Sequence, residues 1–363
     1  LAGIVLLFPA SFIYTGKWPW DAYDAFVCPG KAYAEMLHVA QTGNVTLRRA
    51  FSLIAATFAP FVFCAVPFGL MMWEKLRRWE KGLLVLAFFC PVVFSTLRGT
   101  DKETADVVLA LLLVTLVKGA QFLIHGKAEV SRRVVGGLVL VTLVGTLFAG
   151  ISFEEKKKAR YRDACSPAFL LEQAWTPQKL RAEENNVLTE KDIDDVRKIV
   201  TSSPFGMATA YLAQGYYGLS LTLNHTFEPM YGLGHSPVLM MYVAPRVSAD
   251  FPNRSYLYKG AQEGWSDKSH WSTIVAWLAN DISFYGVPFF FLIFGFFWAR
   301  AWRETVEANS LLSLPFFCLG GILLLYFPAN NQLAGTLGSY ATTIFWFLLW
   351  VGARFAPLRR LLG

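Results

Sequence analysis

The run VLAFFCPVVFSTLRGTDKETADVVLALLLVTLV, residues 85–117, sets apolar stretches on either side of a ten-residue, mostly polar segment, Ser95 to Thr104. Each flank has the character of a bilayer-spanning helix, for which about 20 mostly apolar residues suffice. The residues between can then only be a tight turn at one face of a bilayer. That turn carries Arg98, Asp101, Lys102 and Glu103. Repeated along the chain, the pattern predicts an all-α polytopic membrane protein, a helical bundle with a large outer loop.

The wider composition agrees. The chain has 363 residues, 55% hydrophobic and only 16% charged, with a mean hydropathy of +0.40. Eight segments qualify as spans: 1–15, 51–73, 82–97, 105–124, 134–152, 284–300, 310–327 and 334–353. The first run lacks a basic flank and a small-residue cleavage site, so it is read as a span rather than a signal peptide. Its abrupt start on Leu1 is read as an N-terminal truncation. The division expected is a membrane bundle over 1–152 with spans one to five, a periplasmic loop region with re-entrant or interfacial helices over 153–283, and the last three spans over 284–363.

The net charge of +7 is not that of a nucleic-acid binder, because the basic residues cluster at alternate span ends, in 74–81, 118–133, 299–304 and 354–363. This is the positive-inside pattern and places those ends in the cytoplasm. Residues 16–50, 98–104, 153–283 and 327–335 then lie outside. Arg98 and Lys102 run against the bias. Either Asp101 or Glu103 caps the next helix while Arg98 snorkels, or the two cations meet an anion at the outer rim. Cys64, Cys90 and Cys318 fall inside spans and are expected as free thiols. Cys28 and Cys165 both fall outside, where an oxidising compartment favours a disulfide between them.

The outer segment 153–283 begins charged and contains Asp192 and Asp194, a D-x-D on what reads as a solvated helix rather than a metal site. From residue 206 it becomes rich in Tyr and Gly, with Gln214, Tyr216, Tyr217, His225, Glu228 and His235 interleaved. A lipid-facing segment would not tolerate these polar groups, so they are expected to line a protein cavity. Arg246, Arg254, Lys259, Trp265, His270 and Trp271 follow. Such a mixture of aromatic faces, cations, amides and carboxylates suits a sugar. Asp281 lies near the start of the next span and is a functional candidate as an ionisable group close to membrane depth.

The series AYLAQGYYGLSLTL, FEPMYGLGHS, WSTIVAWLANDISFYGVPFFF and LLYFPANNQ resembles the bacterial oligosaccharide repeat-unit polymerases, the O-antigen polymerase (Wzy-type) family, over residues 85–350. STLRGTDK resembles that family's cation-bearing turn. Trp271, Thr273, Asp281 and Gly286 resemble its polar pattern leading into a late span. The resemblance implies a membrane glycosyltransferase related to the O-antigen ligases. It would transfer glycan from a polyprenyl diphosphate to a fresh lipid-linked repeat unit at the periplasmic face of the inner membrane. It implies no cofactor and no metal. The partners implied are the polyprenyl-diphosphate-linked oligosaccharide, the lipid bilayer and a chain-length regulator protein, with no nucleic acid.

On this expectation Arg98 and Lys102 bind the diphosphate, with Arg246 and Arg254 completing the clamp. His225, Glu228 and His235 are candidates to take the acceptor proton, and Asp281 joins them as a catalytic candidate. Gln214, Tyr216, Tyr217, Trp265, Trp271, Asn330 and Asn331 are candidates to bind the glycan. An O-antigen ligase transferring glycan to lipid A–core is the near alternative. A transporter or flippase for the lipid-linked unit is the distant one, but internal repeats and mid-span charges are lacking.

Overall fold

The computed structural model describes residues 1–125, 131–160, 206–263, 265 and 271–355. Among them every regular element is helical. The helices are α1 (Ala2–Thr15), α2 (Ala22–Val27), α3 (Pro29–Thr42), α4 (Val45–Met71), α5 (Arg78–Leu97), α6 (Lys102–His125), α7 (Arg132–Arg160), α8 (Gly206–Thr222), α9 (Pro237–Tyr242), α10 (Ala244–Val247), α11 (Tyr256–Gln262), α12 (Ile274–Glu307), α13 (Ser313–Leu325) and α14 (Leu337–Gly352). Five of these, α4, α5, α6, α7 and α12, are long and apolar enough to cross a membrane. Helices α1, α13 and α14 are shorter but equally apolar.

The helix ends outrun the hydropathy. Helix α7 continues to Arg160 rather than stopping at 152, and α12 starts at Ile274 rather than 284. The reason is local. Glu154, Glu155, Lys156, Lys157 and Lys158 are good helix formers that propagate a helix already nucleated in the apolar run. At α12, Trp277, Leu278 and Ala279 are buried against protein, so an apolar face extends the helix beyond its lipid-facing part.

The main core lies among α6, α12, α13 and α14. Leu113, Val114, Val117, Phe317, Ile322, Trp346 and Trp350 are buried in it. Phe316 stacks on Trp350 with ring centroids 4.7 Å apart, and Trp298 stacks on Phe317 at 5.4 Å. Such pairs contribute about 0.5–1.5 kcal/mol beyond area burial. Trp346 donates its indole N–H to the Pro60 carbonyl at 2.9 Å, fastening α14 to α4. By contrast Leu140, Leu143, Val144, Leu147 and Ile151 of α7 are exposed. An apolar surface of that extent is suited to lipid.

The two ends of the bundle have separate polar networks. At one end Gln121 donates to Thr305 O at 3.0 Å and to Asn309 Oδ1 at 2.7 Å. There, too, Glu304 accepts from Arg354 at 2.6 Å and from Trp350 at 2.9 Å. This end carries the basic clusters of 299–304 and Arg354. At the other end lie the α5–α6 turn, α8, α9 and α11.

The turn itself is closed by Gly99, whose φ of +61° is a left-handed conformation that favours glycine. A Cβ there would stand 2.3 Å from the Pro29 carbonyl oxygen. Every charge in the turn has a partner within the chain. Arg98 is ion-paired with Glu103, Lys102 with Asp106 at 2.8 Å, and Asp101 with Lys156 of α7 at 3.1 Å. Asp101 and Glu103 thus compensate the two outer cations, and the turn bolts α5 and α6 to α7.

Cys28 is disulfide-bonded, whereas Cys64, Cys90 and Cys318 are free and buried. Cys165, the partner expected from the sequence, lies outside the described residues.

The Arg98–Glu103 pair makes a stability prediction. Arg98→Ala should destabilise the protein by about 1–3 kcal/mol, because Glu103 keeps a half-buried charge without its donor. The reversed pair Arg98→Glu with Glu103→Arg should regain most of the loss. Thermal unfolding of the three variants in detergent checks this.

Candidate functional site

Helix α12 is broken at Ser283, whose φ of 59° and ψ of 168° leave the helical region entirely. A serine held there stores strain of order 1–3 kcal/mol, of the kind found where a site is shaped. The break makes Ile274–Ile282 a helix of its own, with Asp281 in its last turn. Over this end folds the loop 223–236, which reverses direction at Tyr231 and Gly232, both with positive φ.

The loop closes on the Asp281 carboxylate. Its Oδ1 accepts the backbone N–H groups of Gly232 and Gly234, each at 2.9 Å. Its Oδ2 accepts the N–H of His235 at 2.8 Å and lies 3.0 Å from His235 Nδ1. An ionised carboxylate can only accept, so Nδ1 carries a proton, and in the neutral imidazole Nε2 is then the lone-pair acceptor. Nε2 faces the Tyr340 hydroxyl of α14 at 3.4 Å.

Two asparagines hold the loop in register. Asn280, fully buried, donates to Gly234 O at 3.0 Å and accepts the Tyr256 N–H at 2.8 Å. Its own carbonyl accepts Met230 N–H at 3.0 Å. Asn331 donates to the His235 carbonyl at 2.8 Å. Ser236 donates to Ala334 O at 3.1 Å and, as the cap of α9, accepts the Leu239 N–H. His235 is therefore fixed from α12, from the 330–334 segment and from its own loop.

His235, Asp281, Asn331 and Tyr340 line a cavity of about 520 Å³. Most of the rest of its wall is apolar and comes from α12, α13 and α14, including Phe290, Phe294, Phe297, Phe316 and Phe347. Chemically, the arrangement is an oriented imidazole whose Nε2, facing the Tyr340 hydroxyl, lines a largely apolar cavity that is partly open to the surface. An imidazole held by a carboxylate in this way can act in proton transfer.

The other sequence candidates fall elsewhere. His225 lies 3.3 Å from Glu263, and Glu228 accepts from Lys259 at 2.8 Å, in a second cluster beside α8 and α11. The hydrogen bond and charge of Lys259, helped by Arg254, hold the Glu228 carboxyl below the usual carboxylate range. That disfavours Glu228 as a proton acceptor. Tyr217 meets Trp265 edge-on at 4.8 Å, and Trp265 donates to the Trp271 carbonyl at 3.0 Å. Gln214 is buried on α8 and Tyr216 is exposed. The neighbouring Gly215 lets Pro328 approach, since a Cβ would stand 1.7 Å from the Pro328 oxygen.

Arg246 is exposed and donates to Tyr242 O, and the Arg254 guanidinium lies over Phe251 at 4.9 Å. Asn330 Oδ1 is buried with no hydrogen-bond partner among the described residues. Arg98 and Lys102 line no part of the His235 cavity. Asp192, Asp194 and His270 lie outside the described residues. Among those described, no group of three or more His, Cys, Asp or Glu side chains is placed to hold a metal ion.

Sequence reasoning missed Tyr340, Asn280 and Glu263. Tyr340 reads as an interfacial aromatic at the start of a span, a common placement that conceals a specific contact. Asn280 adjoins Asp281 and was the nearest available signal. No family profile, no curated protein and no solved structure matches this chain.

Asp281→Asn should free the loop, because an amide NH₂ would face backbone donors. Amide hydrogen exchange in peptides covering 230–236 should accelerate, with stability falling by about 1–3 kcal/mol.

Proposed function

We propose that this chain is a membrane glycosyltransferase that polymerises lipid-linked oligosaccharide repeat units, with His235 as general base. The observation that carries this reading is the His235 imidazole, oriented by Asp281 and lining a largely apolar cavity. The acceptor sugar hydroxyl gives its proton to Nε2 as its oxygen attacks the anomeric carbon. The bond from that carbon to the diphosphate breaks, and the polyprenyl diphosphate leaves. Asp281 stabilises the imidazolium so formed.

The cluster of Tyr217, His225, Trp265 and Trp271 offers aromatic faces and hydrogen-bonding groups along which a glycan can lie. Arg254 and Lys259 flank it. Arg98 and Lys102 serve the diphosphate in this reading only by exchanging a carboxylate for a phosphate, since each already has an ion-pair partner. The basic helix ends support a cytoplasmic location for the opposite face and, in this reading, a site at the periplasmic side of a bacterial inner membrane. The family resemblance of the sequence supports the choice of polymerase.

His235→Ala should reduce polymer formation about 10²–10⁴-fold while the protein remains in the membrane. The direct test is the surface glycan of a deletion strain carrying the variant. Single repeat units attached to lipid A–core support polymerase. Bare core would indicate a ligase or flippase, and normal polymer would remove His235 from the chemistry.

Purified protein should also extend lipid-linked repeats in the presence of a chelator, because cations of the chain neutralise the diphosphate in this reading. Activity that disappears with chelator and returns with a divalent ion would contradict it.

A further inference from the structure

Helix α1 turns one apolar stripe outward. Leu1, Val5, Phe8 and Phe12 recur at every third or fourth residue and are all exposed, whereas Ser11 and Thr15 are buried in the bundle. In a multi-pass helical bundle such a stripe meets lipid acyl chains. The exposed surface does not end with the helix. Gly16, with a φ of +70°, turns the chain aside. Trp18 then stacks on Phe12 with ring centroids 5.0 Å apart, and on Trp20 at 5.3 Å. The Asp21 carboxylate accepts the Trp18 N–H at 2.8 Å and fixes the single 3₁₀ turn Pro19–Asp21 between them. This aromatic ladder carries the apolar surface from α1 to α2.

Helix α2 is two-faced. Ala25 is buried against Leu97 of α5, and Ala22 and Val93 join that contact. Tyr23, Phe26 and Val27, three and four residues apart, share another face and are exposed. Six residues are far too few to cross a bilayer. The depth of α2 follows from what it touches. Val93 and Leu97 belong to the end of α5, where the apolar run of that helix gives way to the polar turn. The aromatic face of α2 thus stands at the level where a hydrocarbon core meets headgroups. Trp and Tyr suit that level, because an apolar ring and a polar N–H or O–H are each satisfied there. Trp20 and Tyr23 are 68% and 77% exposed, too much aromatic surface to leave in water.

We propose that residues 18–27 form an interfacial anchor, with Trp20, Tyr23, Phe26 and Val27 inserted at the headgroup level of the bilayer. Lipid is the occupant of this face because the face continues the lipid-facing stripe of α1 and lies level with the end of a span. Charge plays little part. The segment 16–27 has one cation, Lys17, against Asp21 and Asp24, and Lys17 is itself ion-paired with Glu35 at 2.6 Å. Burial of aromatic surface is then the driving force, so an electrically neutral, zwitterionic lipid surface suffices. The anchor also sets the level of the α5–α6 turn. Helix α2 packs on Leu97, the residue before Arg98, and α3 packs on Gly99, where a Cβ would stand 2.3 Å from Pro29 O and 2.8 Å from Tyr33 N. The anchor goes beyond the glycosyl-transfer reading and does not depend on it.

The test places the photo-cross-linking residue p-benzoylphenylalanine at Tyr23 or Phe26 in the purified full chain, in nanodiscs of phosphatidylcholine. Phe8, in the α1 stripe, is the lipid-facing control, and Lys31, an exposed cation of α3, is the water-facing one. Adducts are identified by mass. Lipid adducts at positions 23 and 26 should come within about twofold of those at position 8 and exceed those at position 31 about tenfold. Adding phosphatidylglycerol should leave these yields unchanged. A second measurement uses the native fluorophore: Trp20→Phe should remove part of the tryptophan emission that brominated lipids quench. Yields at 23 and 26 as low as at 31 would overturn the proposal, as would cross-links between two copies of the chain in place of lipid adducts. A requirement for phosphatidylglycerol would contradict the neutral surface. Lipid adducts missing at position 8 as well would remove the anchor together with the bilayer placement of α1. None of these readouts involves polymer formation, so the polymerase reading stands or falls separately.

Discussion

Asp281 sits in the last turn of a short helix, where the negative end of the helix dipole disfavours a carboxylate. It is also largely withdrawn from solvent, which adds a desolvation cost unless donors replace the lost water. Three backbone N–H groups and one imidazole N–H supply them. That requirement shapes its surroundings. The loop must turn back on itself so that the amides of Gly232, Gly234 and His235 point inward, and α12 must break at Ser283 for the helix to end there.

The remaining architecture carries this cage. Asn280 ties the loop to α11 and α12 at once, Asn331 brings in the segment after α13, and Tyr340 brings in α14. Farther away, the compensated charges of the α5–α6 turn hold α7, and a hydrogen bond from Ala208 N–H to Glu154 joins α7 to α8. Helix α8 in turn packs against Pro328 through Gly215. Contacts thus link the turn at Asp101 through α7 and α8 to the edge of the site, although the cations of the turn do not line it.

Much of this was legible in the sequence, for identifiable reasons. Helical spans announce themselves because a bilayer demands long apolar runs, and all eight segments correspond to apolar helices. The break at Ser283 does not announce itself. Gly286 and Pro288 stand close by, but neither is where the backbone departs from the helix. His235 and Asp281 were both visible as unusual polar groups, yet their partnership spans 46 residues and depends on the loop folding back. His225 and Glu228 looked equivalent to His235 because chemistry-bearing residues carry no label for their partners. Lys102 and Asp106 could be paired from their spacing of four on a helix. The Asp101–Lys156 pair, which joins two helices, could not.

In the proposed glycosyl transfer His235 and Asp281 act as one unit, and a double-mutant cycle on the polymerisation rate measures that directly. The variants are His235→Ala, Asp281→Asn and the two combined, each verified as folded and membrane-inserted. If the carboxylate works only through the imidazole, the double variant should be as slow as His235→Ala alone, within about twofold. If the two losses multiply, the residues act independently, and the central claim is wrong.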